Sequence, residues 1–144
     1  MTERAVTDTL FFAQSATLLL GTVSIGYGIL TLTFGSALWD GPGTVYDTAQ
    51  SVPGAPQSWG LVAIAAGALV LAGQLFHRHT LIATGALSMG LWFLFFAVSF
   101  AFDIADARAP FGAPGVLVYA HLCVLMLLRS RVHLPGGARW AGNP

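Results

Sequence analysis

Four long apolar segments, none of which contains Asp, Glu, Lys or Arg, make up most of this 144-residue chain. They cover residues 10–38, 59–76, 81–102 and 111–128. A helix needs about 20 predominantly apolar residues to cross a hydrocarbon core of about 30 Å. We therefore predict an all-α, polytopic integral membrane protein: a four-helix transmembrane bundle that forms a single transmembrane domain over residues 1–144.

The composition supports this fold class, because only 8% of the residues are charged. Soluble domains carry about 25% charged residues, so a water-facing globule is excluded. The remaining sequence divides into outer loops at residues 39–58 and 103–110 and a tail at residues 129–144. The fourth segment is the weakest, since its uninterrupted apolar core covers only residues 116–128. An interfacial or partly re-entrant segment is the alternative there.

The arginines and aspartates fall on opposite sides of the predicted membrane. If all four segments cross, one side holds Arg4, Arg78, Arg129, Arg131 and Arg139, whereas the other holds Asp40, Asp47, Asp103 and Asp106 with only Arg108. Short loops rich in Arg mark the cytoplasmic face. We therefore expect a multi-pass protein of the cytoplasmic membrane, with both termini inside and the arginine-containing tail along the inner headgroups.

Aromatic and acidic residues are expected to lie at the outer face. Trp39, Trp59 and Tyr119 are predicted at headgroup level, which amphipathic rings favour. Asp103 and Asp106 stand about one helical turn apart, so they could bind a cation loosely. A solvated helix end is the simpler expectation for this pair.

Small and polar residues follow one face of the first segment at alternating spacings of three and four. They are Gln14, Thr17, Gly21, Ser24, Gly28, Thr31 and Gly35. Membrane helices associate through close backbone approach and side-chain hydrogen bonds, which favour such residues at the contact. We predict that this face, called the α1 seam below, packs on protein.

Matching small or polar positions occur on the second and third segments. They are Ala63, Gly67 and Gln74 on the second and Ala86 and Gly90 on the third. Gln14 and Gln74 are expected at one depth, where their side chains can hydrogen-bond. The seam either holds a single bundle together or also mediates self-association; the sequence leaves both alternatives open.

The sequence contains no motif typical of a catalytic, transport or metal-binding site. Ionisable residues within the membrane mark transport and proton relays, and the four segments contain no Asp, Glu, Lys or Arg. No nucleophile elbow, phosphate-binding loop or zinc-protease motif occurs, and Cys123 is the only cysteine. We expect no catalytic residue, cofactor, metal site or nucleic-acid partner, and a non-enzymatic protein.

Residues 46–60, YDTAQSVPGAPQSWG, precede an Ala/Gly/Leu-rich apolar segment. This stretch resembles small four-span membrane proteins encoded by phages of actinobacteria. All six basic residues are Arg, which is typical of GC-rich coding and agrees with such a source. Proteins of this kind are often unassigned, and some are called holin-like. The resemblance therefore implies membrane permeabilisation and supplies no catalytic residue.

Three functions follow as expectations from the sequence and the resemblance. The first is holin-like permeabilisation in phage lysis, in which the protein assembles as a homo-oligomer in the lipid bilayer. The second is a membrane anchor or interaction subunit that binds another membrane protein or a partner at the extracellular face. The third is a small-solute channel or transporter.

Overall fold

The protein is described by a computed structural model that covers residues 3–40, 46–106 and 110–133, with side-chain burial for residues 11–40, 46–106 and 111–132. Within these residues the secondary structure is helical. The α-helices are α1 (Glu3–Phe34), α2 (Asp47–Gln50), α3 (Gln57–Leu75), α4 (His79–Ala105) and α5 (Ala113–His133). Short 3₁₀ turns at Gly35–Leu38 and Pro110–Gly112 adjoin the end of α1 and the start of α5.

Four of these helices are long and apolar enough to cross a membrane, which confirms the predicted all-helical class. The segments concerned are Phe11–Leu38, Gln57–Leu75, His79–Ala105 and Ala113–Val132. The fourth segment, the weakest in the sequence, is one continuous helix. Its 20 residues rise by about 30 Å, which is sufficient to cross the hydrocarbon core.

A three-residue turn joins α3 to α4 and makes the two helices antiparallel. His77 has a left-handed backbone conformation with φ of 52°. Its N–H donates to the carbonyl of Gln74, and the N–H of Arg78 donates to the carbonyl of Gly73. This pattern is a Schellman motif, which satisfies carbonyl groups left over at a helix end.

The helices pack in chain order, α1 on α3, α3 on α4 and α4 on α5. Because each neighbour runs antiparallel to the last, the start of α1, the α3–α4 turn and the end of α5 lie at one end of the bundle. We call the opposite end, with α2 and the α4–α5 connection, the cap end. Helix α4 lies between α3 and α5 and is the most buried of the four long helices.

Candidate functional site

The α1 seam faces α3 over most of its length. Thr17, Gly21, Ser24, Gly28 and Thr31 are buried, Gly35 is half-buried and Gln14 is exposed. The hydroxyls of Thr17 and Thr31 donate to carbonyls one turn back in α1, at 2.6 and 2.9 Å. The seam therefore contributes close packing between α1 and α3, and these two threonines satisfy their hydroxyls within their own helix.

Two pairs of glycines bring the backbones of α1 and α3 into contact. A methyl group added at Gly28 would lie 2.5 Å from the carbonyl oxygen of Gly60. One added at Gly67 would lie 2.6 Å from the carbonyl oxygen of Gly21. Only glycine allows this approach, because any side chain would force the helices apart. The seam is thus occupied within one copy of the chain.

The other predicted packing positions lie at helix contacts, with one exception. Ala63, Gly67, Ala86 and Gly90 are buried, and Gly90 faces Leu127 of α5. Gln74 is half-buried and its amide nitrogen has no hydrogen-bond partner in the described part of the chain. Gln14 is exposed, and the expected hydrogen bond between the two glutamines is not made through the amide nitrogen of Gln74.

Aromatic rings fill the cap-end half of the bundle around Phe96, which is 0% exposed. The rings that contact Phe96 edge-on or stacked come from four helices and the connection between α1 and α3: Tyr27, Trp39, Tyr46, Trp59, Trp92, Phe95, Phe100 and Tyr119. We call this set the aromatic cluster. Edge-to-face pairs add about 0.5–1.5 kcal/mol each beyond their burial, so these contacts stabilise the cap-end half of the bundle.

The aromatic cluster includes Trp39, whose predicted position at headgroup level stays a prediction. Its side chain is 3% exposed and stacks on Tyr46 with ring centroids 5.1 Å apart. Trp59 and Tyr119 are half-buried in the same cluster. All three rings contact Phe96 of α4.

Helix α2 is fastened onto the bundle by two long-range hydrogen bonds. The Thr48 hydroxyl donates to Oδ1 of Asp103 at 2.6 Å, and the indole N–H of Trp59 donates to the carbonyl of Ala49 at 3.0 Å. Ala49 is completely buried. The loop segment 46–59 is therefore a folded lid on the cap end, which we call the cap.

Asp103 lies inside this packing, so the expectation of a solvated helix end is wrong for it. Helix α4 continues to Ala105, and Asp103 is 1% exposed. Its second carboxylate oxygen, Oδ2, is buried with no hydrogen-bond partner in the described residues. Tyr46 also belongs to the cap, and burial raises the pKa of its phenol.

The other charged residues whose side chains the structure describes are nearer to the surface. Asp40, Asp106, Arg78 and Arg131 are exposed, whereas Asp47 and Arg129 are half-buried. Arg139 lies outside the described residues. Within the described ranges, no group of three His, Cys, Asp or Glu side chains is arranged to hold a metal ion.

Helix α5 packs on α4 along one face and exposes the other. The exposed face carries His121 among Leu117, Val124, Leu125 and Leu128. The Nδ1 atom of His121 is 2.7 Å from the carbonyl oxygen of Leu117 in the same helix. The imidazole therefore has a hydrogen-bonding contact within its own helix, on the exposed face of α5, which the sequence alone did not reveal.

A cleft of about 170 Å³ lies between α1, α4 and α5. Its lining includes Ser24 and Tyr27 of α1, Trp92 of α4 and Tyr119 of α5. Ser24 Oγ and Trp92 Nε1 are buried and lack hydrogen-bond partners in the described part of the chain. The sequence did not reveal this cleft, because the spacing of Ser24 indicates only a helix-packing position.

The described residues form a buried aromatic core, a hydrogen-bonded cap, an exposed α5 face and a small cleft. Comparisons with known protein families, curated proteins and solved structures found no match.

Proposed function

We propose that this chain is a non-enzymatic integral membrane protein that acts by assembling in the cytoplasmic membrane, with both termini inside. The specific action we propose is holin-like permeabilisation in phage lysis. The resemblance of residues 46–60 to phage membrane proteins supports the phage setting. The distribution of the arginines supports the orientation.

The position of His121 carries the proposal of assembly. It stands eight residues from the start and eleven from the end of the candidate span Ala113–Val132, which places it about 12 Å from the nearer end. At that depth lipid offers no hydrogen-bond partner. Polar side chains within membranes face protein or water, so the outward face of α5 is best covered by a second copy.

The packing of one copy favours permeabilisation through assembly over conduction through its own interior. Phe96 and its neighbouring rings close the cap-end half, and the α1–α3 contact leaves backbone against backbone. A water path formed by several copies avoids this obstacle. The same packing weighs against the small-solute channel as a function of a single copy.

Induced expression in an actinobacterial host with a voltage-sensitive dye tests this function. We expect an abrupt loss of membrane potential at a defined time after induction. His121→Leu should delay or abolish that loss, whereas Val98→Leu, on an exposed face of α4, should behave as the wild type. A steady potential while the wild-type protein accumulates in the membrane would refute permeabilisation.

The cap favours a second candidate, an interaction subunit. The Thr48–Asp103 and Trp59–Ala49 bonds hold a preformed surface at the outer face, which suits a protein partner there. Affinity capture in mild detergent tests it with Thr48→Val and the control Thr48→Ser. A defined partner retained by Thr48→Ser and lost by Thr48→Val would support this role; recovery of the protein alone would count against it.

A further inference from the structure

Arg129 is a charged side chain within a candidate membrane span, and it has no counter-ion among the described residues. The span Ala113–Val132 extends beyond the apolar segment of the sequence, so Arg129 stands three residues before its end. Its side chain is half-buried, and its Nε atom is buried without a hydrogen-bond partner in the described part of the chain. Ionisable side chains in membrane spans are normally paired, so this guanidinium is missing a partner.

The two terminal nitrogens of Arg129 are open to a group outside the chain. Unlike Nε, they are not enclosed, and no hydrogen bond or ion pair engages them within the described ranges. A guanidinium presents its N–H donors as a planar fork that matches the oxygens of a phosphate. Arg129 lies about 5 Å from the end of the span, where a long basic side chain reaches the lipid headgroups. A lipid phosphate is therefore a suitable partner at this position.

Arg129 lies on the side of α5 that borders the cleft between α1, α4 and α5. Leu122 and Val118 line this cleft, and Arg129 follows Leu122 by seven residues in the same helix. Seven residues turn an α-helix by about 700°, within about 20° of two full turns, so Arg129 and Leu122 leave α5 on the same side. Arg131 is about 200° away from Arg129 round the helix and therefore lies on the other side.

The cleft offers a ligand a mostly apolar wall. Its lining contains no charged residue. The hydroxyls of Ser24 and Tyr27 and the indole N–H of Trp92 are enclosed, so they do not face a ligand. Val23 and Val118, which are 62% and 55% exposed, lie at its mouth between α1 and α5. Such a wall accepts a hydrocarbon chain that enters from the membrane.

The distances along α5 fit one acyl chain. At about 1.5 Å per residue, Leu122 is about 10 Å and Val118 about 16 Å from Arg129 along the helix axis. Half of a hydrocarbon core of about 30 Å is about 15 Å, which is the depth that one lipid chain covers below its headgroup. A phosphate held at Arg129 therefore places its own acyl chain alongside the cleft.

We propose that each chain binds one anionic glycerophospholipid between α1, α4 and α5. The phosphate accepts hydrogen bonds from the Arg129 guanidinium, and one acyl chain follows α5 into the cleft beside Leu122 and Val118. A net negative headgroup is favoured because a zwitterionic one also carries a cation, which the guanidinium repels. The site is separate from the outward face of α5, and it binds lipid in single copies without assembly.

Native mass spectrometry of the full chain in detergent, titrated with dioleoyl phosphatidylglycerol, tests the proposal. We expect one saturable adduct per chain. Dioleoyl phosphatidylcholine has the same acyl chains and a zwitterionic headgroup, and it should bind at least about tenfold more weakly. Glycerol phosphate, which has the phosphate without the chains, should not displace the lipid at about a hundredfold higher concentration.

Arg129→Gln and Arg131→Gln form a matched pair, because each removes one positive charge from the last turns of α5. Arg129→Gln should raise the dissociation constant for phosphatidylglycerol about tenfold or more, the effect of losing a charge-assisted hydrogen bond. Arg131→Gln, at an exposed position, should change it by less than about twofold. Val118→Phe, at the mouth of the cleft, should raise it about tenfold, whereas Val98→Phe, on an exposed face of α4 outside the cleft, should leave it unchanged.

Several results would overturn the proposal. Equal losses in the two arginine variants would show that net charge alone attracts the lipid. Equal affinity of Val118→Phe and Val98→Phe would show that the cleft holds no acyl chain, and displacement by glycerol phosphate would show a site for phosphate alone. Absence of a saturable wild-type adduct, or equal binding of the two lipids, would also contradict it.

Discussion

Adding one methyl group at Gly28 is the most informative perturbation of the packing between α1 and α3. In Gly28→Ala the new Cβ would lie 2.5 Å from both the Gly60 carbonyl oxygen and Ile64 Cγ1. Real Cβ contacts are essentially never shorter than 3.0 Å. The oxygen belongs to the backbone and cannot rotate away, so the two helices have to separate.

The expected change in the stability of Gly28→Ala is the sum of two opposing effects. Overpacking of a filled contact costs about 1–3 kcal/mol, whereas replacing glycine by alanine inside a helix favours folding by up to about 1 kcal/mol. Gly26 provides a matched control in the same helix, because a methyl group added there meets nothing within 4 Å. The difference between Gly28→Ala and Gly26→Ala removes the helix term and leaves about 1–3 kcal/mol for the contact.

Reversible unfolding in mixed detergent micelles, followed by far-UV circular dichroism, measures this difference. Gly28→Ala should unfold at a lower fraction of denaturing detergent than Gly26→Ala. Gly67→Ala should resemble Gly28→Ala, since its Cβ would lie 2.6 Å from the Gly21 carbonyl oxygen. Equal stabilities of the Gly28 and Gly26 variants, within about 0.5 kcal/mol, would refute the close α1–α3 contact.

Three further predictions concern the cap and the core. Thr48→Val should destabilise the protein by about 1–3 kcal/mol in the same unfolding assay, because it leaves the buried Asp103 carboxylate without its donor. Thr48→Ser should keep most of the stability, and an equal loss in both variants would contradict the hydrogen bond. Tyr46 should ionise above the ordinary tyrosine pKa of 10.0. The stability that its neutral form contributes should be present below pH 10 and be lost as the pH rises through the higher folded pKa. The phenolate absorbance of the wild type minus that of Tyr46→Phe measures this pKa, and titration at the ordinary value would refute burial of the phenol. Phe96→Ala should cost about 3–5 kcal/mol in the unfolding assay, and a loss below about 1 kcal/mol would show that the aromatic cluster is loosely packed.

Hydrophobic length and small-residue spacing made the helices and one packing face predictable. The four spans follow from runs without charge, and the three-four spacing from Thr17 to Thr31 corresponds to the buried face of α1. These signals are local, since each depends on residues within one helix. They do not identify the neighbouring helix, which is why self-association through the seam remained open.

The cap and the cleft depend on contacts between residues far apart in the chain, and no local pattern encodes them. The Thr48–Asp103 hydrogen bond joins residues 55 positions apart. From the sequence alone, Asp103 is therefore predicted to be a solvated charge at the end of an apolar segment. The contacts of Trp39 with Tyr46 and Phe96 likewise join residues that are distant in the sequence. The outward direction of His121 could be determined only when α4 was known to cover the other face of α5.

Disulfide trapping in native membranes tests most directly the claim that the α1 seam is occupied inside one copy and that copies meet through α5. In a Cys123→Ser background, single cysteines replace the exposed residues Val124 and Leu128 of α5 or the buried seam residues Ser24 and Thr31. We predict cross-linked dimers from the α5 positions and none from the seam. Dimers from the seam positions with none from α5 would contradict the account.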